Sequence, residues 1–146
     1  MKIAIGSDER THLTDAVIGE IRRRGHEVVL IGALAEEDPE TDWPLTSRQV
    51  AEAVAAGAVD EGIVCCWTGT GASIAANKVS GIRAALCGDA ETARGARIWN
   101  AANVLALSLR ATSEAVAKEI LEAWCSTAPG DDEWNKRSDR AHPRAG

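Results

Sequence analysis

The segment that most constrains the fold is Gly62-Ile63-Val64-Cys65-Cys66, an apolar run that leads through Trp67 into Thr68-Gly69-Thr70-Gly71 and a stretch rich in small residues. A strand that is apolar throughout, rather than alternating, is covered on both faces, the signature of a parallel sheet between two helical layers. The rest of the chain alternates around it. Residues 2–6, 28–31, 83–87 and 103–107 read as strands. Helical spacing of apolar residues, as at Leu13, Val17, Ile18 and Ile21, predicts helices over 12–24, about 46–57, 70–79, 89–99 and from a Thr112 or Ser113 cap to Trp124. Gly25 and Gly57 are helix stops, and residues 32–43 form the longest loop. The pattern predicts a three-layer, doubly wound, Rossmann-like α/β domain over residues 1–128, with five parallel strands in the order 2-1-3-4-5. Residues 129–146 form a polar tail suited to packing on a partner subunit. Ligands of such sheets bind at the carboxyl ends of the strands, here near Gly6-Ser7-Asp8-Glu9 and Cys66 to Gly71.

The 146 residues fit one domain, and a net charge of −6 argues against a nucleic-acid partner. There is no apolar run of membrane-spanning length, and Met1 to Gly6 reads as a first strand rather than a leader, so a cytoplasmic protein without a membrane partner is expected. The cysteines at 65, 66, 87 and 125 lack metal-ligand spacing. They are expected to be free thiols, and no metal or cofactor is expected.

Thr68-Gly69-Thr70-Gly71 combines backbone that a ligand can approach closely with the partial positive charge of a helix N-terminus, which suits an anion. The third glycine of a dinucleotide fingerprint and the lysine of a P-loop are both missing, which disfavours a nucleotide. A plain tight turn is the simpler alternative. Cys66, at the strand end, is placed to present a thiolate beside the ligand, and Asp8 faces the same crevice; together they suit proton transfer. On local sequence alone the reading of Asp8 as the cap of the first helix is the stronger one.

The run from Gly62 to Lys78, with its Ser73-Ile74-Ala75-Ala76-Asn77-Lys78 end, resembles the signature of the ribose-5-phosphate isomerase B and galactose-6-phosphate isomerase family. So do the opening Lys2 to Asp8, Gly81 to Cys87, and Asn103 to Leu107, a likeness that extends to about residue 125. The resemblance implies metal-free aldose–ketose isomerisation of a phosphorylated sugar through an enediolate. Cys66 stands at the position of the family's base, with Thr68 beside it, and the N–H groups of Gly69, Thr70, Gly71 and Ala72 would hold the oxyanion. Asn100, Arg110 and Arg137 match substrate and phosphate positions, Arg137 acting across an interface in a homodimer or tetramer. Several positions depart from the family. Glu9 replaces a histidine, Trp99-Asn100-Ala101 replaces His-Asn-Asp and so removes the ring-opening imidazole, and Trp67 replaces a glycine. Trp43 replaces a tyrosine, and Glu133 falls where a companion arginine is usual. Trp43, Trp67 and Trp99 thus fall on pocket positions, unless they serve only as packing residues.

The leading reading is an isomerase whose substrate is ribose 5-phosphate or a sugar phosphate already in open-chain form, such as a tetrose phosphate. His12 is a partial substitute for the lost imidazole. Two alternatives stand beside it: a non-catalytic or partner subunit of the same fold, and an enzyme for a non-phosphorylated or aromatic-bearing ligand.

Overall fold

The computed structural model describes residues 1–37 and 39–130. Five strands, β1 (Lys2–Ser7), β2 (Glu27–Gly32), β3 (Glu61–Cys66), β4 (Ala84–Leu86) and β5 (Val104–Ser108), alternate with five helices. These are α1 (His12–Arg23), α2 (Trp43–Ala55), α3 (Thr70–Asn77), α4 (Ala90–Asn100) and α5 (Glu114–Ser126). Every strand pairing is parallel. The helices form two layers. One layer, with Leu13, Val17 and Ile21 of α1, Ala93 of α4, and Ile120, Leu121 and Trp124 of α5, packs on Ile3, Ile5, Ile63, Leu105 and Leu107. Val50 and Ala51 of α2 and Ala72 and Ala76 of α3 cover the other face against Ala4, Val64, Cys66, Val104 and Ala106. The expected doubly wound architecture is present, and all residues of β1 except Lys2, and all of β3 and β5, are buried.

The sheet order corrects the expected 2-1-3-4-5: it is β2-β1-β3-β5-β4. Strand burial gives the reason. β5 has five buried residues and takes the interior position beside β3, whereas β4 is three residues long with Leu86 exposed. A short edge strand leaves few unpaired backbone groups at the sheet margin. The crevice is unaffected, because β1 still lies between β2 and β3, and α1 leaves β1 on one face while α3 leaves β3 on the other.

Two helix starts also differ from expectation. α2 begins at Trp43, inside what the sequence suggested was loop, because Pro44 lies in the first turn, where its missing N–H would have no intrahelical partner in any case. α1 is capped by Thr11, not Asp8. The Thr11 hydroxyl accepts from the Thr14 N–H at 3.3 Å, and the Thr14 hydroxyl accepts from the Thr11 N–H at 2.9 Å. This reciprocal box leaves Asp8 free of a capping role. Ser113 is the cap of α5, its hydroxyl accepting from the Val116 N–H at 3.1 Å.

α2 sits close over β1 and β3. A methyl group on either Gly6 or Gly62 would come within 2.6 Å of Val50. Their missing side chains let α2 approach the sheet and bring its first residue, Trp43, to the carboxyl edge beside the first turn of α3.

Candidate active site

Cys65 and Cys66 are adjacent, but strand pleating sends them to opposite faces. Cys65 joins the core under α1, α4 and α5, and Cys66 joins the face under α2 and α3. Burial, with smaller contributions from the neighbouring Cys66 and Asp8, pushes the Cys65 thiol up to about 12. Cys66 is the last residue of β3, and its Sγ accepts the Gly69 N–H at 3.2 Å. That contact closes a tight turn in which Gly69 adopts φ 79°, the left-handed region that glycine favours. A Cβ there would lie 2.6 Å from Leu86 Cδ1 and 2.9 Å from the Leu107 carbonyl carbon. The turn is therefore a glycine requirement twice over.

Beyond it, Thr70 opens α3, so Thr70, Gly71 and Ala72 form the first turn, whose N–H groups have no partners within the helix. The Thr68 and Thr70 hydroxyls bond each other at 2.9 Å on the exposed rim. Asp8, just after β1, keeps Oδ1 buried without a hydrogen-bond partner. A buried carboxylate oxygen without a partner is uncommon and marks Asp8 out from the other carboxylates of this edge. Ser7 fixes the next residue: its hydroxyl donates to the Glu9 carbonyl at 2.6 Å and accepts the Glu9 N–H at 3.2 Å. Glu9 itself is exposed.

Trp43 and Trp67 flank this turn. A Cβ on Gly71 would meet the Trp43 ring at 2.9 Å, so that ring lies against the first turn of α3. Trp67 is 60% exposed on the rim. Its carbonyl accepts from the Arg110 N–H at 3.0 Å and from the Ser108 hydroxyl at 3.1 Å. These bonds seat the Arg110 backbone beside Trp67, and Arg110 makes no ion pair among the described residues. Ser108, which also accepts the Ala111 N–H at 3.1 Å, is a positioning group that the sequence reading passed over. A hydroxyl directly after the apolar run ending at Leu107 was its only signal.

The expected site residues thus divide into two groups. Asp8, Glu9, Trp43, Cys66, Trp67, Thr68, Gly69, Thr70, Gly71, Ala72 and Arg110 gather at the carboxyl edge of the sheet. Trp99 and Asn100 end α4, and the chain there leads into the amino end of β5. Five residues of strand, ~16 Å, separate that end from Ser108. Trp99 lies back on its own helix, 2.7 Å from where a Gly95 Cβ would be, and is 53% exposed. Within one chain it does not enter the turn at Cys66. With Leu86 and Gly95 it borders a surface groove of about 510 Å³ along the β4 edge. His12, the first residue of α1, is exposed on the crevice side. Arg137 and Glu133 lie outside the described residues. No group of three or more histidine, cysteine, aspartate or glutamate residues among those described is arranged to hold a metal ion. No helix among them is long and apolar enough to cross a membrane.

The chain is similar to known proteins in sequence and in fold. A family model described as Ribose/Galactose Isomerase matches residues 3–141. Ribose-5-phosphate isomerase B of Escherichia coli is 44% identical over 124 residues, 84% of this chain and 82% of that protein. The D-erythrulose-4-phosphate isomerase of Pectobacterium atrosepticum is 37% identical over 85% of this chain and 82% of its own length. Galactose-6-phosphate isomerase subunit LacB of Clostridium acetobutylicum is 38% identical, covering 85% and 71%. Among solved structures, ribose-5-phosphate isomerase B of Clostridium thermocellum superposes with a TM-score of 0.87 at 39% identity, over 97% of this chain and 95% of that one.

Proposed function

The chain belongs to the ribose/galactose isomerase family, and from that premise we propose that it interconverts the aldose and ketose forms of a small phosphorylated sugar with Cys66 as the base. The observation that carries this reading is the Cys66–Gly69 turn, which puts a proton acceptor beside the N–H groups at the head of α3. In the forward step the Cys66 thiolate takes the C2 proton of the open-chain aldose. The C2–H electrons form a C1=C2 double bond, and the carbonyl electrons move onto O1, where the N–H groups of Thr70, Gly71 and Ala72, left free by the Gly69–Cys66 bond, hold the negative charge. The O2 proton then passes to O1, the resulting O2 anion becomes the C2 carbonyl, and the thiol returns its proton to C1. Asp8, through its unpartnered Oδ1, accepts a substrate hydroxyl and relays the oxygen-to-oxygen proton. Arg110 binds the phosphate. Trp43 and Trp67 cover carbon-bound hydrogens of the sugar with their ring faces.

The substrate is short and open. An aldofuranose must open before C2 can react, and opening needs a proton donor and acceptor near neutrality. Among the described residues the carboxyl edge has one imidazole, the exposed His12. A tetrose 4-phosphate cannot close a furanose ring because its O4 is esterified, so it needs no such group. The Pectobacterium relative is named for that kind of substrate. Ribose 5-phosphate is a slower substrate on this account. The site is shared between two copies of the chain, Trp99, Asn100 and Arg137 of one approaching the Cys66 turn of the other. The distance between the two groups within one chain and the open β4 edge support this arrangement.

A second reading, a partner subunit without its own activity, draws on the same missing imidazole and on a relative named as a subunit. Deuterium exchange followed by NMR in D2O separates the two. With erythrose 4-phosphate, ribose 5-phosphate and allose 6-phosphate, wild-type protein is expected to exchange the C2 proton fastest on the first, and Cys66→Ala to lose exchange while keeping ligand binding. Folded, dimeric wild-type protein that exchanges none of the three would be a partner subunit or an enzyme for a non-phosphorylated ligand.

A further inference from the structure

Arg97 is a buried cation that the proposed mechanism does not use. Its side chain, 5% exposed, reaches three separate parts of the chain. Nη2 donates to Glu61 Oε1 at 2.8 Å, Nη1 to the Ala102 carbonyl at 2.7 Å, and Nε to the Thr127 carbonyl at 3.0 Å. The remaining Glu61 oxygen accepts the Trp124 indole N–H at 2.7 Å, and the guanidinium lies 4.7 Å from the centre of the Trp124 ring. The Arg97 backbone carbonyl accepts the Gly130 N–H at 2.8 Å. Each donor group and both carboxylate oxygens are satisfied, as a buried ion pair requires.

The segments held by this cluster stand out. Between Arg97 and Ala102 lie Trp99, Asn100 and Ala101, and Ala101, at φ 44°, is the one described residue other than glycine with positive φ. Strain of that kind persists only where the surroundings over-determine it. Arg97 supplies that restraint, gripping Ala102 on one side of the strained residue from its own place on the other. The second segment, Thr127 to Gly130, is the root from which the chain leaves α5 towards Arg137. One guanidinium thus ties both segments to the same place, beside the bond from Arg83 Nε to the Asn100 carbonyl.

We propose that Arg97 is a positioning residue for the active site of a second copy of the chain, aiming its own Trp99–Asn100 segment and tail root into the partner's Cys66 turn. This rests on the shared-site reading above. It makes Arg97 act in trans, although it touches no substrate and lies within its own subunit's core.

Subunit mixing tests it. Arg97→Lys keeps the charge but loses the three-way fork, so it is expected to fold and to lower kcat at least tenfold. Glu61→Gln, which weakens the grip on Arg97 without emptying it, is the second variant and is expected to lose activity less. Cys66→Ala homodimers are expected to be inactive. When Arg97→Lys and Cys66→Ala proteins are unfolded together and refolded, half of the dimers are mixed, and each mixed dimer has one site with an intact Cys66 and an intact partner segment. Activity is expected to rise to about a quarter of wild type. Asn100→Ala, at an exposed position, mixed with Cys66→Ala is the control for the shared site itself. Recovery with Asn100→Ala but not with Arg97→Lys would overturn the role of Arg97 alone. Recovery with neither would overturn the shared site and the inference with it, and so would full activity in Arg97→Lys homodimers overturn the inference.

Discussion

The two adjacent cysteines show how one residue of register separates the proposed base from a packing residue. Cys65 points into the core, where burial holds its thiol protonated far above neutrality. Cys66 points to the other face and accepts an N–H from the turn. Cys87 is likewise pushed up, to about 11, mainly by burial. Iodoacetamide at pH 8 is therefore expected to inactivate the enzyme through Cys66 before it reaches Cys65 or Cys87, read by peptide mass mapping against residual activity. Cys65→Ala should keep activity within about twofold while costing on the order of 1 kcal/mol for a small buried group. Loss of turnover in Cys65→Ala with normal Cys66 labelling would exchange their roles. The sequence placed Cys66 by its position at a strand end before a glycine turn. It favoured the cap over the crevice for Asp8, because an acidic residue shortly before a helix is a common cap signal. The Thr11–Thr14 box resolved that, and a threonine pair is a weaker sequence signal than Asp.

Among the elements, the strand–turn–helix unit of β3 and α3 was legible because three local signals agree: an unbroken apolar run, glycines at the turn, and small helical residues after it. The order of β4 and β5 was not. Sequence order supplies a default neighbour, and only the comparison of a three-residue partly exposed strand with a five-residue buried one decides which lies inside. Arg97 was also invisible, since a cation on a helix reads as solvated until Glu61 and Trp124, far away in sequence, are seen to enclose it. The turn makes a test at this scale. Gly69 and Gly57 both have positive φ, 79° and 74°, but a Cβ meets Leu86 and Leu107 at the first and nothing within 4 Å at the second. Both alanine variants should lose roughly 1–2 kcal/mol for the left-handed backbone. Gly69→Ala should lose more, and its kcat should fall ~100-fold as the oxyanion donors shift. Equal losses of stability and unchanged kcat would mean that the turn tolerates the extra carbon.

At the scale of the whole molecule, the proposed site uses the carboxyl edge of the sheet, while other charged groups tie neighbouring helices together far from it. Glu20 of α1 is one of these. It is buried, and Arg23 and Arg24 contact it at 2.5 and 3.1 Å. Arg24 also reaches Glu122 of α5 at 2.5 Å, so the cluster joins α1 to α5. The hydrogen bond from Arg23, reinforced by the charges of both arginines and opposed by burial, lowers the Glu20 carboxyl from its ordinary 4.5 to about 2. Folding therefore favours the ionised form. The resulting stability is fully present above about pH 4.5 and is lost as pH falls from there through about 2, because the unfolded chain takes up the proton first. Glu20→Gln should unfold at a lower urea concentration than wild type at pH 7, and the gap should close progressively between pH 4.5 and 2. A gap of constant size over that range would assign the cost of the substitution to neutral packing rather than to charge, and the joint between α1 and α5 would owe nothing to ionisation.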